Sequence, residues 1–170
     1  MAIRWDKLTV KSQEAMQQAI AQASELGNPE LQPVHLLLTL IADREGVILP
    51  VLEKIGVATE RLEAELHQIE EKLPRVSGSQ GQPGLSNRLN KAVEQAFKEA
   101  ANFKDEYIST EHLLLGLSRE KATQPLMLCL PPVPRMTRSL RHLLPSAVRS
   151  ASPTRTPKAN SRRSKSMPRT

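Results

Sequence analysis

His35-Leu-Leu-Leu-Thr-Leu40 returns as His112-Leu-Leu-Leu-Gly-Leu117, displaced by 77 residues. The repetition extends upstream of these blocks. Leu8–Leu40 aligns on Leu85–Leu117 at the same offset with no gap, and ten of 33 positions are identical. The matched small residues are Ala15/Ala92, Ala19/Ala96 and Ala23/Ala100, and Thr9 is answered by Ser86. A duplication that keeps small residues and a Leu-rich block in register implies two similar helical units sharing one interface.

Each unit reads as helix. In the first, Ala15, Met16, Ala19, Ile20, Ala23 and Leu26 recur at three- and four-residue spacing, so one face is apolar. Thr9 is a helix cap, and Gly27 with Pro29 beyond it is a stop. Further helices are expected from Pro33 to about Asp43, Gly46 to Lys54, and about Thr59 to Leu73. Residues 75–84, rich in Gly, Ser and Pro, read as a linker between a first unit at 1–74 and a second beginning at Leu85. The second unit offers helices at about 86–103 and 110–119. Where symmetry calls for two more, Leu130-Pro-Pro-Val-Pro-Arg135 intervenes. Ala92, Ala96, Leu113 and Leu117 are therefore expected to be undercovered.

Composition agrees with helices. Trp5, Phe97, Phe103 and Tyr107 are the only aromatics, so the core must be aliphatic. A single cysteine, Cys129, excludes an internal disulfide and any Cys-based zinc site. No apolar run has the length of a membrane span and the first residues lack a signal-peptide pattern, which predicts a cytoplasmic protein. The net charge of +6 averages two unlike segments. Residues 1–120 carry 13 Lys+Arg against 18 Asp+Glu, a balance of −5; residues 121–170 carry 11 Lys+Arg and no acid, a balance of +11.

No constellation of catalytic residues stands out, and the G-x-x-x-x-G-K-[ST] phosphate loop is absent from the sequence. His35 and His112 open the second helix of each unit. With no third ligand at helical spacing, they read as packed histidines bonded to backbone rather than as metal ligands. The Leu triplets span nearly a full turn, which suits helices buried on several sides.

Leu8-Thr-x-Lys-x-Gln-Glu-Ala15, Leu26-Gly-Asn-Pro-Glu30, Pro33-x-His-Leu-Leu-Leu38, Leu73-Pro-Arg-Val-Ser-Gly78, Leu85-Ser-x-Arg-Leu89 and Tyr107-Ile-Ser-Thr-Glu-His-Leu-Leu-Leu-Gly-Leu117 together carry a resemblance. They are similar to the double Clp repeat at the amino terminus of Clp chaperones. The linker wording is closer to the ClpB disaggregase group than to ClpA or ClpC. The resemblance covers residues 1 to about 122. It implies an all-α fold of two pseudo-twofold-related four-helix Clp repeats, the second (85–122) incomplete. It also implies a non-enzymatic domain without cofactors or metals that engages unfolded or aggregated polypeptide. In the full-length parent, AAA+ modules forming a hexamer and a co-chaperone system would be its partners.

Carried over from that pattern as polypeptide-binding positions are Thr9, Asp105 and Glu111. Leu89, Val93 and Tyr107 are apolar candidates beside them, with plain core as the competing reading. Docking of a folded adaptor, as in ClpA and ClpC, is the alternative function. A nucleic-acid-binding role rests on the basic tail alone, which has no aromatic stacking partners or recognisable module, so any such binding is expected to be unspecific.

After about Lys121 the sequence departs from that pattern. Read from each codon's third base, with permitted codon choices, residues 145–170 can encode V-R-G-S-Q-R-V-T-D-Q-N-P-E-G-E-F-E-A-L-E-K-Y-A-T-D. That string is similar to the ClpB segment joining the amino-terminal domain to its first ATPase module. Residues 123–170 are accordingly expected to be out of frame and disordered; eight prolines and no acids cannot offset the entropy of ordering.

Overall fold

The computed structural model describes residues 4–76 and 81–119. A 3₁₀ turn at Trp5–Lys7 precedes α1 (Val10–Glu25), β1 (Glu30–Leu31), α2 (Pro33–Ala42), α3 (Ile48–Lys54) and α4 (Thr59–Glu71). Then come β2 (Gly84–Leu85), which takes up the last residue of the expected linker, α5 (Asn87–Phe103) and α6 (Thr110–Arg119). The expected helices are present, with α3 and α4 each two residues shorter than read. The fate of the tail and of any further helices lies outside the described residues.

Local chemistry accounts for the ends. Thr9 and Ser86 are extended caps whose hydroxyls accept from the backbone N–H of Ser12 and Leu89. Helix α1 stops at Gly27, φ +70°; α5 stops at the equivalent Lys104, φ +61°. After each, the next N–H reaches back to a carbonyl five residues earlier, Asn28 to Ala23 and Asp105 to Ala100, both at 2.9 Å. Glycine adopts that left-handed conformation freely. Lysine adopts it at a cost of about 1 kcal/mol, and no sequence signal marks Lys104 as a stop.

The Leu-rich helices are the centre of the fold. Every residue of α2 from Pro33 to Ile41 is buried, as is α6 from Glu111 to Ser118. Helix α2 packs on α1, α3 and α4, while α6 packs on α5 and also on α1, α2 and α3. This corrects the expectation of an undercovered second unit. Ala92, Ala96, Leu113 and Leu117 are 0–2% exposed. Helices α1, α2 and α3 of the first unit pack on α6, and Gly116 lets the α5 backbone approach where a Cβ would stand.

Two short parallel contacts, neither visible in the helical periodicity, join the units. Leu8 pairs with Ile108, and β1 pairs with β2 in the register Glu30↔Gly84, Leu31↔Leu85. Because Ile108 is the repeat equivalent of Leu31, and Leu85 that of Leu8, each unit lends its pre-helix residue to the other. The two contacts are one contact seen twice under the pseudo-twofold.

Candidate functional site

Around the Leu8–Ile108 contact, residues from both units meet. Thr9 N–H donates to Ile108 O at 3.0 Å and Ile108 N–H to Lys7 O at 2.7 Å. These bonds hold the start of α1 against the loop carrying Asp105 and Tyr107. Lys7 Nζ lies 5.9 Å from the Tyr107 ring centroid, and the Arg4 guanidinium lies 5.2 Å from that of Phe97. Trp5 and Val10, flanking this contact, are 37% and 47% exposed. Isolated exposed apolar residues are ordinary; here two large ones bracket the inter-unit contact, with cations and Tyr107 alongside.

The six residues singled out from the sequence divide. Thr9, Asp105 and Tyr107 are partly exposed. Glu111 is 4% exposed, with Thr110 Oγ1 3.4 Å from its Oε2. Leu89 and Val93 are core residues, 0% and 4% exposed, and offer no surface to a partner in this conformation. Thr9 is occupied as a cap, its Oγ1 donating to Ser12 Oγ at 3.0 Å. Asp105 faces His112, Oδ2 to Nε2 at 3.3 Å. Trp5, Val10 and Lys7 were not singled out; the one signal was that Trp5 is the sole tryptophan, just ahead of a cap.

The two histidines repeat each other as the duplication requires. His35 Nδ1 accepts from Gln32 N–H at 3.0 Å, and His112 Nδ1 accepts from Ser109 N–H at 3.1 Å. Each ring is therefore protonated on Nε2, which faces Asn28 Oδ1 at 3.1 Å in the first unit and Asp105 in the second. Asn28 is oriented for this by donating its Nδ2 to Pro74 O at 2.9 Å. Ser109 Oγ also lies 3.0 Å from His112 Nδ1, giving a Ser–His–Asp chain. The repeat shows what this chain is for: Gln32–His35–Asn28 does the same bridging with neither hydroxyl nor carboxylate, tying the helix start to the end of the preceding helix. Both ring nitrogens are taken, which agrees with the reading of packed rather than metal-binding histidines. Among the described residues, no three His, Cys, Asp or Glu side chains come together as a metal site.

Burial lowers both histidine pKa values from the ordinary 6.5. Opposing it are Glu70 for His35, and Glu111, then Asp105 and Glu99, for His112. A lowered folded pKa means that the unfolded chain binds more protons, so this contribution is complete above about pH 6.5 and is lost as pH falls below it. The urea midpoint should therefore drop between pH 7 and pH 5. Asn28→Asp gives His35 the carboxylate that His112 already has, and should flatten that drop. An unchanged profile would show that His35 does not contribute to it.

With this geometry in place, comparison with known proteins is direct. The family model for the Clp repeat (R) N-terminal domain matches residues 7–128. The chain belongs to that family. Chaperone protein ClpB of Rhodopirellula baltica is 45% identical over 119 residues, 70% of this chain and 13% of the relative. ClpB of Mycobacterium leprae is 43% identical over 110 residues, 65% of this chain and 13% of the relative. The chain thus spans about an eighth of these relatives' length. Among solved structures, the Hsp104 N-terminal domain from Candida albicans superposes with TM-score 0.70 at 17% identity, covering 80% of this chain and 91% of that one. A ClpV N-domain in complex with VipB peptide gives 0.57 at 16% identity, covering 84% and 82%. At such identities the likeness shows the Clp N-domain fold alone. No described helix of this Clp N-domain is long and apolar enough to cross a membrane.

Proposed function

We propose that the chain is the non-enzymatic, substrate-binding N-domain of a ClpB-type disaggregase, engaging unfolded or aggregated polypeptide. The observation that carries this reading is the inter-unit contact at Leu8–Ile108, which gathers exposed Trp5 and Val10 beside Thr9, Asp105 and Tyr107. Unfolded chains present apolar segments without fixed sequence, and apolar side chains with a polar, charged rim suit them. Glu111, Leu89 and Val93 serve in this reading as buried supports. The level of identity to ClpB proteins supports the group. The AAA+ hexamer, the co-chaperone system and a cytoplasmic setting follow from it as features of the parent. Residues 123–170 read as an out-of-frame continuation; resequencing the coding DNA from residue 120 onward tests that.

Because Trp5 is the sole tryptophan, its fluorescence reports on the surface directly. Titration with a reduced, carboxymethylated protein should give a saturable blue shift, and the same protein in its native fold should give none. Val10→Asp should weaken binding about tenfold, the loss of one buried apolar contact. Equal response to folded and unfolded probe would overturn the reading. A 1:1 complex with a folded adaptor, without binding to unfolded chains, would favour the ClpA/ClpC alternative.

A further inference from the structure

The two inter-unit contacts differ at their outer edges. In the first, Lys7 and Thr9 direct their backbone groups at Ile108, so Leu8 faces away. The chain itself closes that edge. Leu8 N–H donates to Trp5 O at 3.2 Å through the 3₁₀ turn, and Gln13 Nε2 donates to Leu8 O at 3.0 Å and to Trp5 O at 2.9 Å.

In the second contact, Gly84 N–H donates to Pro29 O at 2.9 Å and Ser86 N–H to Leu31 O at 3.1 Å, so Leu85 is the residue facing away. There the closing elements are missing. Gln82 stands where Trp5 stands, but it precedes Pro83, which disfavours the helical conformation the turn requires. Asn90 stands where Gln13 stands: its N–H meets Ser86 O at 3.0 Å, as that of Gln13 meets Thr9 O at 2.9 Å. Its side chain is one methylene shorter, and among the described residues neither Asn90 Nδ2 nor the Leu85 N–H and C=O has a hydrogen-bond partner. Leu85 is half-buried, and Gln82 and Gly84 beside it are exposed.

We propose that the open β2 edge at Leu85 docks the backbone of an extended polypeptide segment, accepting its N–H on Leu85 C=O and offering it Leu85 N–H. An outward pair of strand groups is a template for another strand, and the first contact shows what fills the equivalent position: a backbone carbonyl and an amide donor. The occupant is extended polypeptide because these two groups recognise main chain. This inference rests on the reading that the chain binds unfolded polypeptide, and adds a second place where it does so.

The test uses the isotope-labelled full chain and the carboxymethylated probe, followed by NMR. Without probe, the Leu85 amide should exchange with solvent faster than that of Leu8. On titration it should shift, and its exchange should slow. Asn90→Gln, which supplies the missing cap without removing any contact, should weaken probe binding about fivefold, the worth of one hydrogen bond; Gln13→Asn, the reciprocal change, frees Leu8 C=O and should make the Thr9 amide of that same peptide shift on titration. An unmoved Leu85 amide alongside a shifted Trp5 emission overturns the edge while leaving the proposed function standing. Silence at both overturns both. Unaltered binding by Asn90→Gln overturns the edge as well.

Discussion

Replacing Gly116 with valine is expected to cost about 3 kcal/mol, lowering the thermal midpoint by roughly 10 °C. Helix propensity alone predicts the opposite sign, since glycine inside a helix is less favourable than valine. What decides is the neighbour. A Cβ on Gly116 would run into the carbonyl oxygen of Ala92, and would stand 2.9 Å from Ala96 N and 3.1 Å from Ala96 Cβ. These are atoms of a helix backbone and its smallest side chain, so no rotamer change relieves the overlap, and α5 must move away from α6. That displacement opens the second unit along its main interface. The control is Thr39→Val at the repeat-equivalent position. Thr39 already carries a side chain there, bonded only to His35 O at 2.9 Å, so about 1 kcal/mol or less should be lost. Circular dichroism melts of both variants check this. A Gly116→Val chain melting with or above the parent would show that the helix pair tolerates the wider spacing.

Arg119→Ala should destabilise the chain by about 2 kcal/mol, below the 3–5 kcal/mol of a fully buried pair because the arginine is part-solvated. Glu99 is 2% exposed and lies on the inner face of α5. Its partners are Arg119 Nη2 at 2.6 Å and Gln95 Nε2 at 3.3 Å. Removing the arginine leaves a buried carboxylate with one neutral donor. The side chain of Arg119 is 42% exposed, so water takes up some of the loss. The first unit solves the same position differently: Gln22, the equivalent of Glu99, donates to Glu70 Oε1 of α4 at 2.7 Å. Here the charge sits on the fourth helix, and His67 Nδ1 at 3.2 Å completes its environment. Because the destabilisation comes from an orphaned charge, adding Glu99→Gln to Arg119→Ala should recover at least half of it. Urea midpoints at constant slope measure all three chains. If the double variant is no better than the single, the arginine acts through packing of its stem and not through the carboxylate.

The residues proposed to bind polypeptide were legible only in part. Thr9, Asp105 and Tyr107 reach the surface, but Leu89 and Val93 are core, the reading that competed with a surface role. Glu111 is buried despite its charge, because it sits in the first turn of a helix packed on all sides. Trp5 and Val10 precede and begin a helix whose apolar stripe starts later, so nothing in the spacing distinguished them.

The sequence by itself determined the helices, their capping hydroxyls at Thr9 and Ser86, the duplication at an offset of 77, and the central burial of the two Leu-rich helices. These are local properties: a side chain bonding three residues on, an apolar face repeating every three or four positions, a run too hydrophobic to tolerate water on any side. Only the tertiary structure decided how the two copies engage. A repeat is equally compatible with each unit pairing within itself or with its neighbour, and here Leu8 joins Ile108 while Leu31 joins Leu85. It also decided that α6 packs on helices of the first unit, that Lys104 ends a helix without being glycine, and that one of two equivalent edges stays open. Periodicity reports which face of an element avoids water; it carries no information about which other element will supply the shelter.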